Sequence, residues 1–176
     1  PYWTDTSVDT EDYNRISGKL TVLDLSGVKI KAGGSSYYEY NGYNYINNND
    51  ELPSYAFYRS ILTSFIAPSS VKSIGDYAFY GCSSLSNISN LSSVTSVGDF
   101  AFAYCTSLPL VAIPHNVKTI ENNAFSGCTG ITSVSISSSV TSIGRNVFFG
   151  CSSLTSIKVE SGNSVYDSRD NCNAII

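Results

Sequence analysis

The stretch Ser139-Val-Thr-Ser-Ile-Gly-Arg-Asn-Val-Phe-Phe-Gly-Cys-Ser-Ser-Leu-Thr-Ser-Ile157 decides the fold, because it comes back along the chain. Its cysteine, Cys151, has counterparts at Cys128, Cys105 and Cys82, and the interval is 23 residues each time. That interval is a structural period, unlike the short paired spacings that make zinc sites. Units run 71–93, 94–116, 117–139 and 140–162. With the first residue of a unit as offset 0, an aliphatic stands at offset 0 (Val71, Val94, Val117, Val140) and at offset 3 (Ile74, Val97, Ile120, Ile143). Offsets 7 and 8 hold Ala78-Phe79, Ala101-Phe102 and Ala124-Phe125, with Val147-Phe148 as the variant. Cysteine follows at 11, and Leu85, Leu108, Ile131 and Leu154 stand at 14. Offset 17 holds Ile88, Val111, Val134 and Ile157, and offset 19 holds Ile113, Ile136 and Val159.

An earlier, shorter unit carries Leu52, Ala56-Phe57, Ser60 in the cysteine place, Leu62, Phe65, Ala67 and Pro68, which makes five units over 48–162. The departures are local. Asn90 replaces the aliphatic at offset 19, and Tyr104 replaces the glycine seen at 81, 127 and 150. Glu121 replaces the glycine seen at 75, 98 and 144, which argues against an obligatory positive φ there.

In Val134-Ser-Ile136 apolar and small polar residues alternate, and β-branched side chains favour an extended backbone, so each unit is expected to place one strand on a wall. The stretch Val140-Thr-Ser-Ile143 offers a second short strand. The Ala-Phe-x-Gly-Cys run is expected to turn the corner, as a short turn or a single helical turn. No unit can bury its apolar set alone, so stacked neighbours must make the core, with phenylalanines in one interior row and cysteines in another. The fold expected is a right-handed, β-rich leucine-rich-repeat solenoid.

These residues resemble the BspA-type, or Treponema pallidum-type, leucine-rich repeats of bacterial surface proteins. The motif that carries the likeness is Ser-Val-Thr-Ser-Ile-Gly, Ala-Phe-x-Gly-Cys and Ser-Leu-Thr-Ser-Ile, over about two thirds of the chain. The segment Leu20-Thr-Val-Leu-Asp-Leu-Ser26 looks like the family's N-terminal strand. Three regions are expected: an N-terminal cap and tyrosine-rich loop at 1–47, repeats at 48–162, and the start of a C-terminal element at 163–176, read as truncated.

Composition sets the outer limits. The net charge is −4, with ten Lys and Arg and no basic run, so nothing would neutralise a phosphate backbone and no nucleic acid is expected as partner. No apolar run approaches the ~20 residues that span a bilayer, so no transmembrane segment is expected. With no Met and Pro1 at its start, the chain reads as a processed product or a cut fragment.

Catalytic chemistry is hard to find. A cysteine nucleophile needs a histidine, and the single one, His115, stands in a turn between units. The periodic cysteines read as small buried hydrophobes, reduced rather than bridged, because stacked Cβ vectors point the same way. Asp167, Asp170, Asn171 and Asn173 lack the alternate spacing, central glycine and closing glutamate of a calcium loop. No enzyme, no metal and no cofactor is expected.

Two features suit binding. Outward strand positions such as Ser86, Asn87, Ser89, Thr132, Ser133, Ser135, Thr155, Ser156 and Lys158 would form a nearly uncharged hydroxyl-rich sheet. Tyr37, Tyr38, Tyr40, Tyr43 and Tyr45 put five tyrosines in nine residues, and tyrosine offers large contact area at low entropic cost. The resemblance implies a cell-surface or secreted interaction module, with an extracellular protein or glycan as partner. The alternatives are a structural spacer that displays another domain, or a glycan-binding module attached to an enzyme. Self-association through an open C-terminal end is also expected.

Overall fold

The computed structural model describes residues 21–27, 38–40, 43–45, 50–109 and 111–167. Each unit is one coil of a parallel β-solenoid, with two short strands on two walls. One wall holds β4 (Glu51–Leu52), β6 (Ser73–Ile74), β8 (Ser96–Val97), β10 (Thr119–Ile120) and β12 (Ser142–Ile143), stacked in coil order as one sheet. The other wall holds β1 (Val22–Asp24), β5 (Ser64–Ile66) and β7 (Asn87–Ser89) in one sheet, and β9 (Val111–Ala112), β11 (Ser133–Ile136) and β13 (Ser156–Val159) in a second. Strand β1 pairs parallel with β5, Val22 beside Ser64 and Asp24 beside Ile66, so the expected N-terminal strand is present. Register repeats the period: Ser73 lies beside Ser96, Thr119 beside Ser142, and Ser133 beside Ser156.

The interior rows follow from the periodicity. Phe57, Phe79, Phe102, Phe125 and Phe148 stack with successive ring centroids 5.1, 5.1, 5.3 and 5.8 Å apart, close to the ~4.8 Å between neighbouring strands. Phe148, expected to be interior, is only half-buried, because among the described residues no coil covers it. Cys82, Cys105, Cys128 and Cys151 form the second row, buried and unbridged. Ser60 continues that row, with its hydroxyl 3.3 Å from Cys82 Sγ.

The corner is not a helical turn. Overlapping turns close it, as Ala78 N–H donates to Gly75, Tyr80 N–H to Tyr77 and Cys82 N–H to Phe79. The alternate amides leave the coil altogether: Tyr77 donates to Asp99 at 2.8 Å, Phe79 to Ala101 at 2.7 Å and Gly81 to Ala103 at 2.8 Å. The next coils repeat this through Phe100, Phe102 and Tyr104, then Asn123, Phe125 and Gly127. A helix would send every amide back along its own axis. Positive φ prevents that at offset 6 (Tyr77 57°, Phe100 54°, Asn123 56°, Asn146 57°) and at offset 10 (Gly81 70°, Tyr104 61°, Gly127 71°, Gly150 73°). The third place of a type II turn demands this conformation, which asparagine and glycine adopt readily and aromatics do not.

Gly75, Gly98 and Gly144 are absent from the positive-φ set, as Glu121 at the same offset implies. Their constraint is space: a Cβ on Gly98 would sit 2.5 Å from Asp76 Oδ1 and 2.9 Å from Asp76 N.

Candidate functional site

The tyrosine-rich segment is a two-stranded antiparallel ribbon rather than an irregular loop. Strand β2 (Tyr38–Tyr40) pairs with β3 (Tyr43–Tyr45), Tyr38 beside Tyr45 and Tyr40 beside Tyr43. Alternate strand residues share a face, so this register puts positions 38, 40, 43 and 45 on one face of the ribbon. Asn41-Gly42, flanked by alternating tyrosines, is the signal that would have announced it. Tyr37 lies outside the described residues, as do Cys172, Asp170, Asn171 and Asn173.

A second aromatic group stands on the corner of the first coils, at offsets the sequence reading passed over. Tyr55, Tyr77 and Phe100 stack at 4.8 and 5.0 Å, with interplanar angles of 5° and 11°. Tyr58 and Tyr80 stack beside them at 5.1 Å, and Tyr104 meets Tyr80 edge-on at 5.3 Å. Tyr104 is 48% exposed and the rest are half-buried. The ring of Tyr104 also covers the flank of Gly127, where a Cβ would come within 2.6 Å of it. From Tyr45 to the start of β4 at Glu51 the chain can reach at most about 23 Å, which bounds the distance of the ribbon from the first coil.

The hydroxyl-rich wall ties neighbouring coils together at the start of its strands. Thr63 Oγ1 donates to Thr21 O at 2.9 Å, Ser86 Oγ to Thr63 O at 3.2 Å and Thr155 Oγ1 to Thr132 O at 3.1 Å. A similar ladder runs at offset 5. Asp76 Oδ1 accepts the Asp99 amide at 2.8 Å, Asp99 Oδ1 the Asn122 amide at 2.8 Å, and Asn122 Oδ1 the Arg145 amide at 2.9 Å.

The cysteines are donors too. Cys105 Sγ lies 3.1 Å from Phe79 O, Cys128 Sγ 3.0 Å from Phe102 O and Cys151 Sγ 3.2 Å from Phe125 O, so each thiol ties its coil to the preceding one. Burial pushes the Cys128 thiol up to about 12 and raises Cys105 and Cys151, whereas hydrogen bonds from Cys105 and Ser60 lower Cys82. Thiols held protonated in this way are poor nucleophiles. His115 is exposed and reaches Glu160 at 3.4 Å, and Ser135 Oγ meets the other oxygen of the same carboxylate at 3.4 Å. Among the described residues no three His, Cys, Asp or Glu could hold a metal ion, and no helix is long and apolar enough to cross a membrane.

Stacked parallel coils of fixed length, one strand per wall, define a leucine-rich-repeat solenoid. The family profile of the BspA type leucine rich repeat region matches six copies over residues 50–174, and the chain belongs to that family. Among solved structures, a leucine-rich-repeat protein of T. pallidum is similar at 33% identity and TM-score 0.58, over 60% of this chain and 50% of that one. A leucine-rich-repeat protein from Bacteroides ovatus is similar at 30% identity and TM-score 0.50, over 57% of this chain and 32% of that one. The pneumococcal vaccine antigen PcpA shares the fold at 21% identity and TM-score 0.61, over 89% of this chain and 44% of that one. This chain therefore spans half or less of each of these chains' lengths. Comparison with curated proteins gave no match.

Proposed function

We propose that this chain is a non-catalytic interaction module, at the cell surface or secreted, which binds an extracellular protein or glycan without metal or cofactor. The contact surface in this reading is made by Tyr37, Tyr38, Tyr40, Tyr43 and Tyr45 together with the aromatic corner of the first coils. The observation that carries it is the concentration of aromatic columns on the first coils, within chain reach of the ribbon. Solenoids present extended surfaces, and rigid aromatic side chains are the usual anchors of binding sites. The test is a screen against extracellular-matrix proteins and a glycan panel, repeated with Tyr38, Tyr40, Tyr43 and Tyr45 changed to Ser. Loss of binding in that variant supports the reading, and undiminished binding moves the site elsewhere.

A spacer function that displays another domain is favoured by one observation: the wall hydroxyls of Ser86, Thr132 and Thr155 are spent on the preceding coils rather than offered to a ligand. Absence of binding to every target in the screen would make this the better reading. The C-terminal face is the proposed surface for self-association. Among the described residues the amides of Asn146, Phe148 and Gly150 have no acceptor, and Phe149 is 71% exposed. Concentration-dependent sedimentation that disappears on deleting residues 171–176 would support it.

A further inference from the structure

Offset 10 makes a column along the corner, Arg59, Gly81, Tyr104, Gly127 and Gly150, in which each large side chain lies over the glycine of the next coil. A Cβ on Gly81 would meet Arg59 Cγ at 3.1 Å, and one on Gly127 would meet Tyr104 Cδ1, Cε1 and Cγ at 2.6, 2.7 and 3.3 Å. Three consecutive ring atoms this near place the ring flat over Gly127, because an approach along the ring edge would carry Cγ well beyond the other two. Tyr80 stacks on Tyr58 through one face, and Tyr104, from the following coil, meets the other at 5.3 Å and 69°. It is thus the edge of Tyr104 that touches Tyr80, one face that rests on Gly127, and the second face that turns outward.

Glycine stands before and after Tyr104 in its column, so no side chain of the column shields that outward face, and the residue is 48% exposed although its flank is covered. A Cβ on Gly150 would meet only Gly127, at 3.6 Å, so the surface beyond the ring is bare backbone. The surroundings are polar and neutral. Residues 100–107, 123–130 and 146–153 contain no charged side chain, and Asp99 and Arg145 stand at offset 5, where the corner begins. At offset 12, Thr129 and Ser152 are exposed and their hydroxyls bond nothing among the described residues, whereas Thr106 of the coil before donates to Ser83 O at 3.3 Å.

We infer that this corner binds a neutral glycan of β-linked pyranose units, with one sugar stacked on the open face of Tyr104. The electron-rich face of an aromatic ring attracts the axial C–H groups on the flat side of a pyranose, and the hydroxyls of Thr129 and Ser152 can both donate to and accept from the hydroxyls at its rim. An equatorially linked chain is extended, and its sugars advance by nearly one coil spacing, ~4.8 Å, so a chain laid along the solenoid meets a new coil with each sugar. A charged glycan finds no counter-charge here, and a protein anchor finds hydroxyls and bare glycine where a hot spot needs an apolar surround. This assignment deepens the reading of the aromatic corner as a contact surface and rests on it, but it does not need the tyrosine ribbon.

Cellohexaose is the probe, titrated into the whole chain while the amide resonances of Tyr104, Gly127, Thr129, Gly150 and Ser152 are followed. Tyr104→Gly removes the ring and keeps the fold, because glycine already serves this offset at 81, 127 and 150 and suits a φ of 61°. The expected result is a saturable shift at these amides, weakened at least about tenfold in Tyr104→Gly and kept within about twofold in Tyr104→Trp. The variant with Tyr38, Tyr40, Tyr43 and Tyr45 changed to Ser should bind cellohexaose as the wild type does, even where it loses a target of the matrix and glycan screen. No saturable shift, full affinity in Tyr104→Gly, or equal affinity for the curved, α-linked maltohexaose would each overturn the assignment. Loss of cellohexaose binding in the ribbon variant would move the sugar to the ribbon, and a matrix protein that needs Tyr104 while cellohexaose gives no shift would assign the face to a protein.

Discussion

The coils at 117–139 and 140–162 and those at 71–93 and 94–116 share one pattern of apolar residues, yet their second walls differ. In the later pair, β11 and β13 match over four residues from Ser133 beside Ser156 to Ile136 beside Val159. In the earlier pair, β7 and β9 do not pair among the described residues, and this seam falls where Pro109 has no N–H to give and Asn90, with a φ of 63°, turns its side chain back to Ala67 O at 2.6 Å. The corner and the first wall run through both regions without a break, since Gly98 donates to Ile74 at 2.9 Å and Phe79 to Ala101 at 2.7 Å across the same junction. A solenoid can therefore lose one of its ladders locally and keep its coils in register, provided the others and the stacked core continue.

The largest effect should come from the element that both regions share. Phe102→Ala removes a buried ring with a stacked neighbour on each side, and should cost ~3–5 kcal/mol in urea unfolding. Phe148→Ala, half-buried with one stacked neighbour, should cost clearly less. Equal losses would mean that the row does not act as a stack.

The thiol row gives the next effect. Between its ordinary 9.0 and about 12, Cys128 keeps its proton in the folded state while the unfolded thiol ionises. The folded state then binds more protons, so this contribution is intact below pH 9 and lost as pH rises through that window. Cys128→Ala should reduce the alkaline loss by about 1 kcal/mol per pH unit, read from unfolding curves at pH 8 and pH 10.5. An unchanged pH slope would mean that the thiol is not held protonated.

The seam can be moved or mended. Thr155→Pro removes an amide bond of 3.0 Å and a hydroxyl bond of 3.1 Å to Thr132, and should cost ~2 kcal/mol by opening a second seam. Pro109→Thr returns a donor opposite Ser86 and should stabilise by ~1 kcal/mol, the smallest of these effects. A destabilised Pro109→Thr would show that something other than the missing donor parts the sheets.

The regular part of this architecture was legible because it is written in apolar residues at a fixed period, and burial is what such residues report. The two walls and the phenylalanine and cysteine rows followed from it, and the N-terminal strand followed from the resemblance to the repeat family. Residues that oppose their own propensities were harder. Tyr77 and Phe100 adopt a left-handed backbone that neither favours, so only tertiary stacking and the amide bonds to the next coil reveal it. Asn90 and Pro109 were visible as letters, but the seam they produce depends on their meeting at one junction, which a count of repeats does not register. The aromatic corner escaped because offsets 6 and 9 vary in type from coil to coil, so no period marks it. The ribbon was read as a loop although Asn41-Gly42 lay within it.

Amide hydrogen exchange tests the central claim most directly, because it reads each ladder separately. The amide of Asn90 has no acceptor among the described residues, whereas Ala67, one coil earlier, donates to Ser89 at 3.1 Å, and Phe79 and Phe102 donate across the corner at 2.7 and 2.8 Å. Asn90 should exchange ~100-fold faster than Ala67, while Phe79 and Phe102 remain equally slow on both sides of the junction. Protection of Asn90 equal to that of Ala67, or fast exchange of Asn90 and Phe79 together, would contradict a wall that opens while the corner stays closed.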